Sequence, residues 1–358
     1  MNTSTIAHQR LLSQHIAGTP SKTPGEVVQW LGAVQAQDYE AAKWAVGLRT
    51  LGTTDADVEQ AISNGALLRT HVLRPTWHFV TPEDIRWMLG LTAPRVNAAS
   101  AYYYRALELD DQLFQRSNAV LEQALQGGKH LTRTELLAAL QQAGVNTEGL
   151  RSAYLMMRAE LDGVICSGAR RGKQITYALL SERAPQAKAL AREEALEKLT
   201  TRYFTGHGPA TVQDFVWWSG LTTTDAKAGL ELAKAHLAQE VIEGTAYWFA
   251  ASLSPVQDLP PSAYLLPNYD EYIVGYADRG AIFDPANAHK LDARGSVLAQ
   301  HTMVSNGRIV GTWKRTLQKG QALLAFSPFT ALSEDEHQAF LHPAAHFSRF
   351  TRLPVTSL

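Results

Sequence analysis

Three copies of one local arrangement constrain the fold of this 358-residue chain more than any other feature. Each copy has a capped helix, a second helix, and two short strands joined by a turn. In the clearest copy, Thr132 and Glu135 match the capping box that opens a helix, and Gly144 ends that helix. A basic tip, 168–173, separates the two strands of the hairpin. The predicted elements of this copy are helices over 131–144 and 147–160 and strands over 164–166 and 175–177.

The same arrangement is found at 23–80 and at 209–250. In the later copy, Thr211 and Asp214 cap a helix that Gly220 closes. Helix, helix and hairpin is the order of a winged helix, so we predict three winged helices in tandem. The predicted elements of the earlier copy are a helix opening at Thr23, helices over 39–49 and 55–64, and strands over 67–73 and 76–80 that meet at Arg74-Pro75; the later copy has strands over 241–242 and 247–249.

The pattern changes after about residue 255. Prolines at 255, 260, 261 and 267 indicate a linker, and short apolar runs follow it. Asn306-Gly307 is a strong signal for a hairpin turn. The predicted fold is therefore mainly α with β: three tandem winged-helix units followed by a small C-terminal β-barrel-like domain. The predicted strands of that domain are 264–266, 272–276, 308–313 and 322–326, and the predicted domains are 1–100, 101–183 and 184–255 for the winged helices and 256–358 for the barrel.

Composition and charge exclude several classes of protein. The single cysteine, Cys166, rules out an intramolecular disulfide and fits a reducing compartment. Residues 1–20 lack a basic segment followed by an apolar one, so we expect no signal peptide. No apolar run reaches the roughly 20 residues that span a bilayer, so we expect a cytoplasmic, nucleoid-associated protein. Because the net charge is only −1, any binding to DNA must come from local basic clusters.

Five segments together match a known family, in the same order along nearly the whole chain. On the basis of these segments, the sequence resembles the AlkZ-like winged-helix DNA glycosylases. The resemblance implies a C-shaped clamp on DNA, built from three winged helices and a β-barrel, that excises bulky or crosslinked N-alkylated purines as a monofunctional glycosylase. The catalytic motif of the most similar branch is Gln-apolar-Gln, and Gln35-Ala36-Gln37 fits it. The matching segments are VQAQDYEAAKWAVGLR (34–49), LLRTHVLRPTWHFVTPEDIRWML (67–89), HGPATVQDFVWWSGL (207–221), LLPNYDEYIVGYADR (265–279) and NGRIVGTWKR (306–315).

A pair of glutamines suits a hydrolysis that needs little acid or base catalysis. A purine alkylated at N3 or N7 is already cationic, so the enzyme has to extrude the nucleotide, stabilise the oxocarbenium ion and hold a water below C1′. The amides of Gln35 and Gln37 both donate and accept hydrogen bonds and can bracket one water. Since side chains two apart diverge on a helix, we expect the motif at a helix end or in a loop. Alternatively, the two glutamines are polar residues without a role in catalysis, or the neighbouring Asp38 acts as the base.

Polar residues crowd the hairpin that follows this motif. Strand alternation predicts Arg69 and His71 on one face, and Thr76 with His78 on the next. These side chains either line the active cleft and meet phosphates or the lesion, or belong to a half-exposed wing with ordinary polar residues. The candidate cleft residues are Arg69, His71, Arg74, Thr76 and His78.

Two basic clusters are candidates for contacts with DNA phosphates. The hairpin tip at 168–173 has the highest charge density, although basic surface turns are also common without a ligand. A second patch follows Trp313. The candidate DNA-binding residues are Arg170, Arg171, Lys173, Lys314 and Arg315.

Three further features receive mainly structural interpretations. His207 precedes a helix whose backbone N–H groups could hold a phosphate, or it bonds to a neighbouring chain segment. Of Trp217 and Trp218, only one can face fully inward, because they are adjacent on a helix. The acidic pair Asp270-Glu271 is interpreted as a structural hydrogen-bonding feature.

The resemblance therefore implies a monofunctional DNA glycosylase that acts on N3- or N7-alkylated purines, in DNA repair or in self-resistance to a toxin. The alternatives are a non-catalytic winged-helix regulator and a scaffold without activity. We expect double-stranded DNA with alkylated bases as the partner of a monomer that needs no other protein and no membrane. No cofactor and no metal is implied, since His71, His78 and His207 lack a cysteine partner or compact ligand spacing.

Overall fold

The computed structural model describes residues 3–253, 261–291, 296–318 and 320–357, which form helices and small sheets. The predicted linker at Pro255 and Pro260 lies outside the described residues. No helix within the described ranges is long and apolar enough to cross a membrane. The chain begins with helix α1 (Thr3–Ser13).

The first copy of the arrangement places the Gln-Ala-Gln motif in a small sheet. Its strands pair antiparallel in the order β1-β3-β2. Thr23 caps α2 by accepting a hydrogen bond from the Glu26 N–H, as predicted, and Thr54 with Asp57 forms a capping box. The elements are α2 (Pro24–Leu31), β1 (Val34–Gln35), α3 (Tyr39–Gly47), α4 (Asp55–Ser63), β2 (Leu68–Val72), β3 (Arg74–Val80) and the long helix α5 (Ile85–Ala106).

The second copy has the predicted capping box, in which Thr132 and Glu135 bond each other's backbone N–H groups. Its hairpin pairs Ser167 with Tyr177, so the strands lie one or two residues beyond the predicted ones. The elements are α6 (Asp111–Leu125), β4 (Leu131–Thr132), α7 (Arg133–Gln142), α8 (Arg151–Leu161), β5 (Ile165–Ser167), β6 (Thr176–Leu179) and α9 (Leu180–Arg183).

The third copy contains the predicted capped helix, a second helix that Thr222 caps, and a longer hairpin than predicted. Thr211 and Asp214 form a capping box, and Gly220 ends the helix in the left-handed conformation. Helices followed by a hairpin thus occur three times, and their interpretation as winged helices stays a prediction. The elements are α10 (Arg192–His207), α11 (Val212–Ser219), α12 (Thr223–Ala233), β7 (Leu237–Ile242) and β8 (Thr245–Ala250).

The C-terminal part contains an open five-stranded sheet, a half-barrel. Its edge strands, β9 and β13, are not paired with each other in the described ranges, so the sheet does not close. The predicted strand at 272–276 is wrong: Asp270 caps a helical turn there by accepting from the Tyr272 N–H. The elements are β9 (Ala263–Leu266), α13 (Glu271–Val274), β10 (Thr302–Ser305), β11 (Arg308–Gln318), β12 (Gln321–Pro328), α14 (Glu334–Thr351) and β13 (Val355–Ser357).

The sheet of the first copy lies between two hydrophobic cores. One face contributes Leu68 and Val80 to a core shared with α10, α11 and α12. The other face contributes Val34 and Phe79 to a core shared with the C-terminal sheet and α14. Strand alternation therefore divides the polar residues of this sheet into two sets, and each set faces a different part of the chain.

Candidate active site

Gln35 and Gln37 lie at the end of a strand, not on a helix. Gln35 is the last residue of β1 and pairs with His78. The extended pairing continues for one more residue, because the Ala36 N–H donates to the Trp77 carbonyl oxygen at 2.7 Å. Gln37 is exposed, and its Oε1 accepts from the Trp77 N–H at 3.4 Å. Gln37 lies in a bend just beyond the paired residues, so the motif lies outside any helix, where side chains two apart would diverge.

The side chain of Gln35 is held by one partner and free at its other end. Its Oε1 accepts from Arg74 Nη2 at 3.0 Å. Its Nε2 has no hydrogen-bond acceptor among the described residues, and it is not among the fully buried unpartnered atoms. The amide group of Gln35 is therefore oriented with its oxygen on Arg74 and its NH₂ available to a ligand.

Glu271 anchors the backbone of the motif by a hydrogen bond from the Gln35 N–H. This fully buried carboxylate accepts from the Gln35 N–H through Oε1 at 2.7 Å. Its Oε2 accepts from Trp218 Nε1 at 2.8 Å and contacts His207 Nε2 at 3.2 Å. Burial alone would raise the pKa of Glu271, but the bonds from His207 and from the Gln35 N–H hold it below its ordinary value. A buried anion thus lies directly behind the candidate catalytic residue.

The two acidic residues at 270–271 have different roles. Asp270 forms two bonds with the Arg49 guanidinium, each of 2.8 Å, and caps α13. It fits the structural role expected from the sequence. For Glu271, sequence reasoning missed the contact with the motif, because nothing local connects residues 236 positions apart.

One face of the hairpin carries Thr76 and His78 beside Gln35. His78 is fully buried, and its Nδ1 lies 3.0 Å from the Thr76 carbonyl oxygen. Burial and the nearby Arg74 cation lower the pKa of His78 to about 3, so its imidazole is neutral. Arg74 also donates to the Trp217 carbonyl oxygen at 3.3 Å.

The opposite face carries Arg69 and His71. Arg69 Nε donates to the Ala36 carbonyl oxygen at 3.0 Å, and its guanidinium lies 4.4 Å from the centre of the Trp77 ring. His71 packs on the same ring at 4.3 Å, and its Nδ1 bonds to the buried Glu160. Since Arg69, His71 and His78 are all buried, the alternative of a half-exposed wing does not fit these three residues. Of the five candidate cleft residues, Arg69 and Arg74 bond to the motif and His78 pairs with Gln35, while His71 and Thr76 lie on the same hairpin.

Asp38 and His207 have structural partners. Asp38 caps α3 by accepting from the Ala41 N–H at 3.1 Å, and it also accepts from Asn268 at 3.3 Å. This arrangement speaks against Asp38 as a general base. His207 packs on Tyr203 and bonds to Glu271, as expected for a residue tied to a neighbouring chain segment.

The candidate DNA-binding residues are not gathered into one surface. Arg170 bonds to Glu40 and Glu59, at 2.8 and 3.2 Å. Arg171 is exposed and bonds to Glu135 at 2.7 Å. Each of these two charges is thus offset locally by a carboxylate, and neither residue contacts the motif.

The other basic candidates lie apart from this tip. Lys173 is exposed and has no ion pair within the part of the chain that the structure describes. Lys314 and Arg315 are neighbours on β11 and so point to opposite faces of the sheet. Arg315 is half-buried, 6.0 Å from the centre of the Phe347 ring. They do not form a single patch.

Trp217 is an aromatic residue beside the motif for which the sequence assigned no role. Its side chain is 40% exposed, whereas Trp218 is fully buried, as the helical spacing requires. The Trp217 Nε1 donates to the Val274 carbonyl oxygen at 3.0 Å, and the Arg74 guanidinium lies 5.8 Å from its ring centre. In the sequence, only the Trp-Trp doublet indicated an exposed aromatic residue here, since one of two adjacent helical tryptophans must face outward.

The three histidines considered for zinc do not converge. His71 and His78 project from opposite faces of the hairpin, and His207 is bonded to Glu271. No group of three His, Cys, Asp or Glu side chains in the described ranges is arranged to hold a metal ion. The motif itself offers two amide side chains for hydrogen bonding, close to the buried Glu271 carboxylate and to Arg69 and Arg74.

Comparison with known proteins gives consistent results. A family model described as DNA glycosylase AlkZ-like matches residues 28–350. A Streptomyces sahachiroi protein named interstrand DNA cross-link repair glycosylase is 26% identical over 367 residues, covering 97% of this chain and 96% of that protein. The solved structure of Streptomyces sahachiroi DNA glycosylase AlkZ matches with a TM-score of 0.81 at 22% identity, over 100% of both chains. The two proteins share a fold that mixes helices and sheets.

Proposed function

Because this chain belongs to the AlkZ-like DNA glycosylase family, and is therefore a DNA glycosylase acting on DNA, we propose that it hydrolyses the N-glycosidic bond of purines alkylated at N3 or N7. Such a base carries a positive charge and leaves as a neutral molecule, so protonation by an acid is not needed. Water is the nucleophile and no covalent enzyme intermediate forms. The enzyme is thus monofunctional.

The observation that carries this proposal is the orientation of the glutamine pair. Gln35 directs its amide oxygen to Arg74 and leaves Nε2 available, while the side chain of Gln37, in the bend two residues further along, is exposed. Two amides in this relation can bracket one water by donating to it and accepting from it. The water oxygen bonds to C1′ as the C1′–N bond breaks, the bonding electrons neutralise the purine, and the proton of the water goes to solvent.

The surroundings of the motif suit an extruded nucleotide with phosphates on either side. Arg69 and Arg74 supply positive charge on the two faces of the hairpin. Trp77 and Trp217 are partly exposed aromatic rings next to these arginines, and bases stack well on such rings. We assign these four residues to contacts with the sugar–phosphate backbone and the displaced base.

We further propose that bulky or crosslinked adducts are among the substrates. The related Streptomyces sahachiroi protein is named for the repair of interstrand cross-links, and its length matches that of this chain almost completely. The biological role would be DNA repair or self-resistance to an alkylating toxin. In this proposal the three recurring helix-and-hairpin units are winged helices of a monomer that binds double-stranded DNA.

The test uses a duplex oligonucleotide with one 7-methylguanine, under single-turnover conditions, followed by alkali to cleave abasic sites. We expect wild type to release the base. The double variant Gln35→Ala/Gln37→Ala should lose at least about a hundredfold in rate, as when a preorganised hydrogen-bond donor is removed from an active site. Gln142→Ala, which alters an exposed glutamine on α7, is the matched control.

DNA binding, measured by fluorescence anisotropy, should remain within about twofold in the double variant, because the phosphate contacts that dominate affinity are untouched. Retained base release in the double variant would contradict the role of the glutamines. Binding of one specific sequence by wild type without any base loss would instead favour a regulator.

A further inference from the structure

Three buried polar atoms on the Gln35 face of the hairpin have no hydrogen-bond partner among the described residues. They are Thr70 Oγ1, Thr76 Oγ1 and His78 Nε2. Thr70 and His78 are completely buried. Buried polar atoms nearly always have a partner, because each one without a partner is costly. Such atoms together indicate a polar ligand.

These atoms belong to neighbouring positions. Thr70 pairs with His78 across β2 and β3, and His78 pairs with Gln35 across β3 and β1. Directly opposed residues have Cβ atoms about 5 Å apart. The His78 ring is turned toward residue 76, since its Nδ1 bonds to the Thr76 carbonyl oxygen. The three residues therefore lie on the same face of the sheet as Gln35, and Thr70 and His78 occupy directly opposed positions next to it.

The donor and acceptor pattern of this group fits a neutral ligand that both donates and accepts. A carbonyl oxygen only accepts, so His78 Nδ1 carries the proton in its bond to Thr76 and Nε2 presents a lone pair. Gln35 Nε2 is a donor, and the threonine hydroxyls can act either way. A buried water typically makes about three such bonds.

We propose that Thr70, Thr76 and His78 form a buried water site behind Gln35. The water donates to His78 Nε2 and accepts from Gln35 Nε2, and the threonine hydroxyls complete its coordination. With Oε1 bonded to Arg74 and one hydrogen of Nε2 bonded to this water, the other hydrogen of Nε2 is aimed at the nucleophilic water. His78 is thus a positioning residue, and this role rests on the proposed function.

The stability of two isosteric variants tests the water itself without reference to catalysis. In Thr70→Val, loss of a hydroxyl that binds a water leaves that water underbonded, so the melting temperature should fall. If the hydroxyl has no partner, the melting temperature should instead rise, because the substitution removes a buried polar group that makes no hydrogen bond. Thr92→Val is the control: Thr92 is equally buried, donates to the Met88 carbonyl oxygen and accepts from the Leu73 N–H, so its loss must destabilise. An unchanged or raised melting temperature in Thr70→Val, alongside a lowered one in Thr92→Val, overturns the water site.

Two replacements of His78 test its link to Gln35. Asparagine can keep the bond that Nδ1 makes to Thr76 but loses the acceptor at Nε2, whereas glutamine can place an oxygen near the Nε2 position. We expect His78→Asn to lower single-turnover base release about tenfold, the effect of one lost hydrogen bond, and His78→Gln to stay within about threefold of wild type. A merely structural role predicts the reverse order, because asparagine retains the bond seen in the structure.

The two experiments separate the failure of this inference from that of the proposed function. If wild type releases no base from 7-methylguanine DNA, the proposed function fails, and the melting experiment still decides the water site. If wild type is active and asparagine performs as well as glutamine at position 78, the positioning role is refuted. If neither His78 variant folds, the positioning role is tested with Thr70→Val, whose melting temperature and base release are both measured. A lowered melting temperature without any loss of base release refutes the positioning role.

Discussion

Replacing Glu271 with glutamine tests whether a buried carboxylate holds the catalytic motif in position. Glu271 accepts from Gln35 N–H, Trp218 Nε1 and His207 Nε2, over 2.7, 2.8 and 3.2 Å. A glutamine amide keeps one oxygen but turns an NH₂ group toward at least one of these donors. The substitution changes shape very little, so its effect reports charge and hydrogen bonding.

The expected loss of stability follows from these contacts. A hydrogen bond to a charged group contributes about 1.5–3 kcal/mol. Because the amide oxygen of Glu271→Gln can still accept at least one of the three bonds, we expect the free energy of unfolding to fall by about 3 kcal/mol. Base release should slow about tenfold, since a displacement of Gln35 weakens one hydrogen bond in the transition state.

The pH dependence provides a second signature. His207 and the Gln35 N–H keep the pKa of Glu271 below its ordinary value in the folded protein, although burial alone would raise it. A lowered pKa means that the carboxylate stabilises the fold above the unfolded-state pKa, and that this contribution is lost as pH falls through the folded-state pKa. Glu271→Gln should therefore lose stability at neutral pH and show a weaker further loss in acid.

The assay combines urea unfolding, followed by tryptophan fluorescence, with single-turnover base release at a temperature where both proteins are folded. Glu122→Gln, an exposed site on α6, is the control for the same chemical change. Wild-type stability and wild-type base release in Glu271→Gln would refute the idea that this anion supports the motif.

Three more predictions concern residues around the site. Arg74→Lys should slow base release about tenfold with DNA binding retained, because a lysine cannot bridge Gln35 Oε1 and the Trp217 carbonyl oxygen as the planar guanidinium does; an unaltered single-turnover rate contradicts this. Asp270→Asn should lower the free energy of unfolding by about 3 kcal/mol through loss of the buried pair with Arg49, while base release per folded molecule stays at the wild-type level; a selective loss of activity would show that Asp270 serves the chemistry. Burial raises the pKa of the Cys166 thiol to about 12, so an aromatic disulfide reagent at pH 8 should label one thiol only after unfolding, and rapid labelling of native protein is the contrary result.

Much of the local structure follows from short-range signals. The capping boxes at Thr132 and Thr211 and the turn at Asn306-Gly307 are present as predicted, since each involves groups within a few residues of one another. The strand predicted at 272–276 is a helical turn, because the cap from Asp270 outweighs the apolar run that suggested a strand. Helix α14 was not predicted, although Ser333 and Glu336 form a capping box at its start.

What the sequence determined by itself is local: the order of helices and hairpins, and the pair of glutamines kept off a helix. Tertiary structure alone decided which charges remain available. Arg170 meets Glu40, 130 positions away, and Gln35 meets Glu271, 236 positions away. Backbone preferences and caps act over one or two turns of chain, whereas a buried ion pair depends on the path of the whole chain and on the loss of water around both groups. For that reason the glutamine motif was evident in the sequence, while the anion that supports it appeared only in the folded protein.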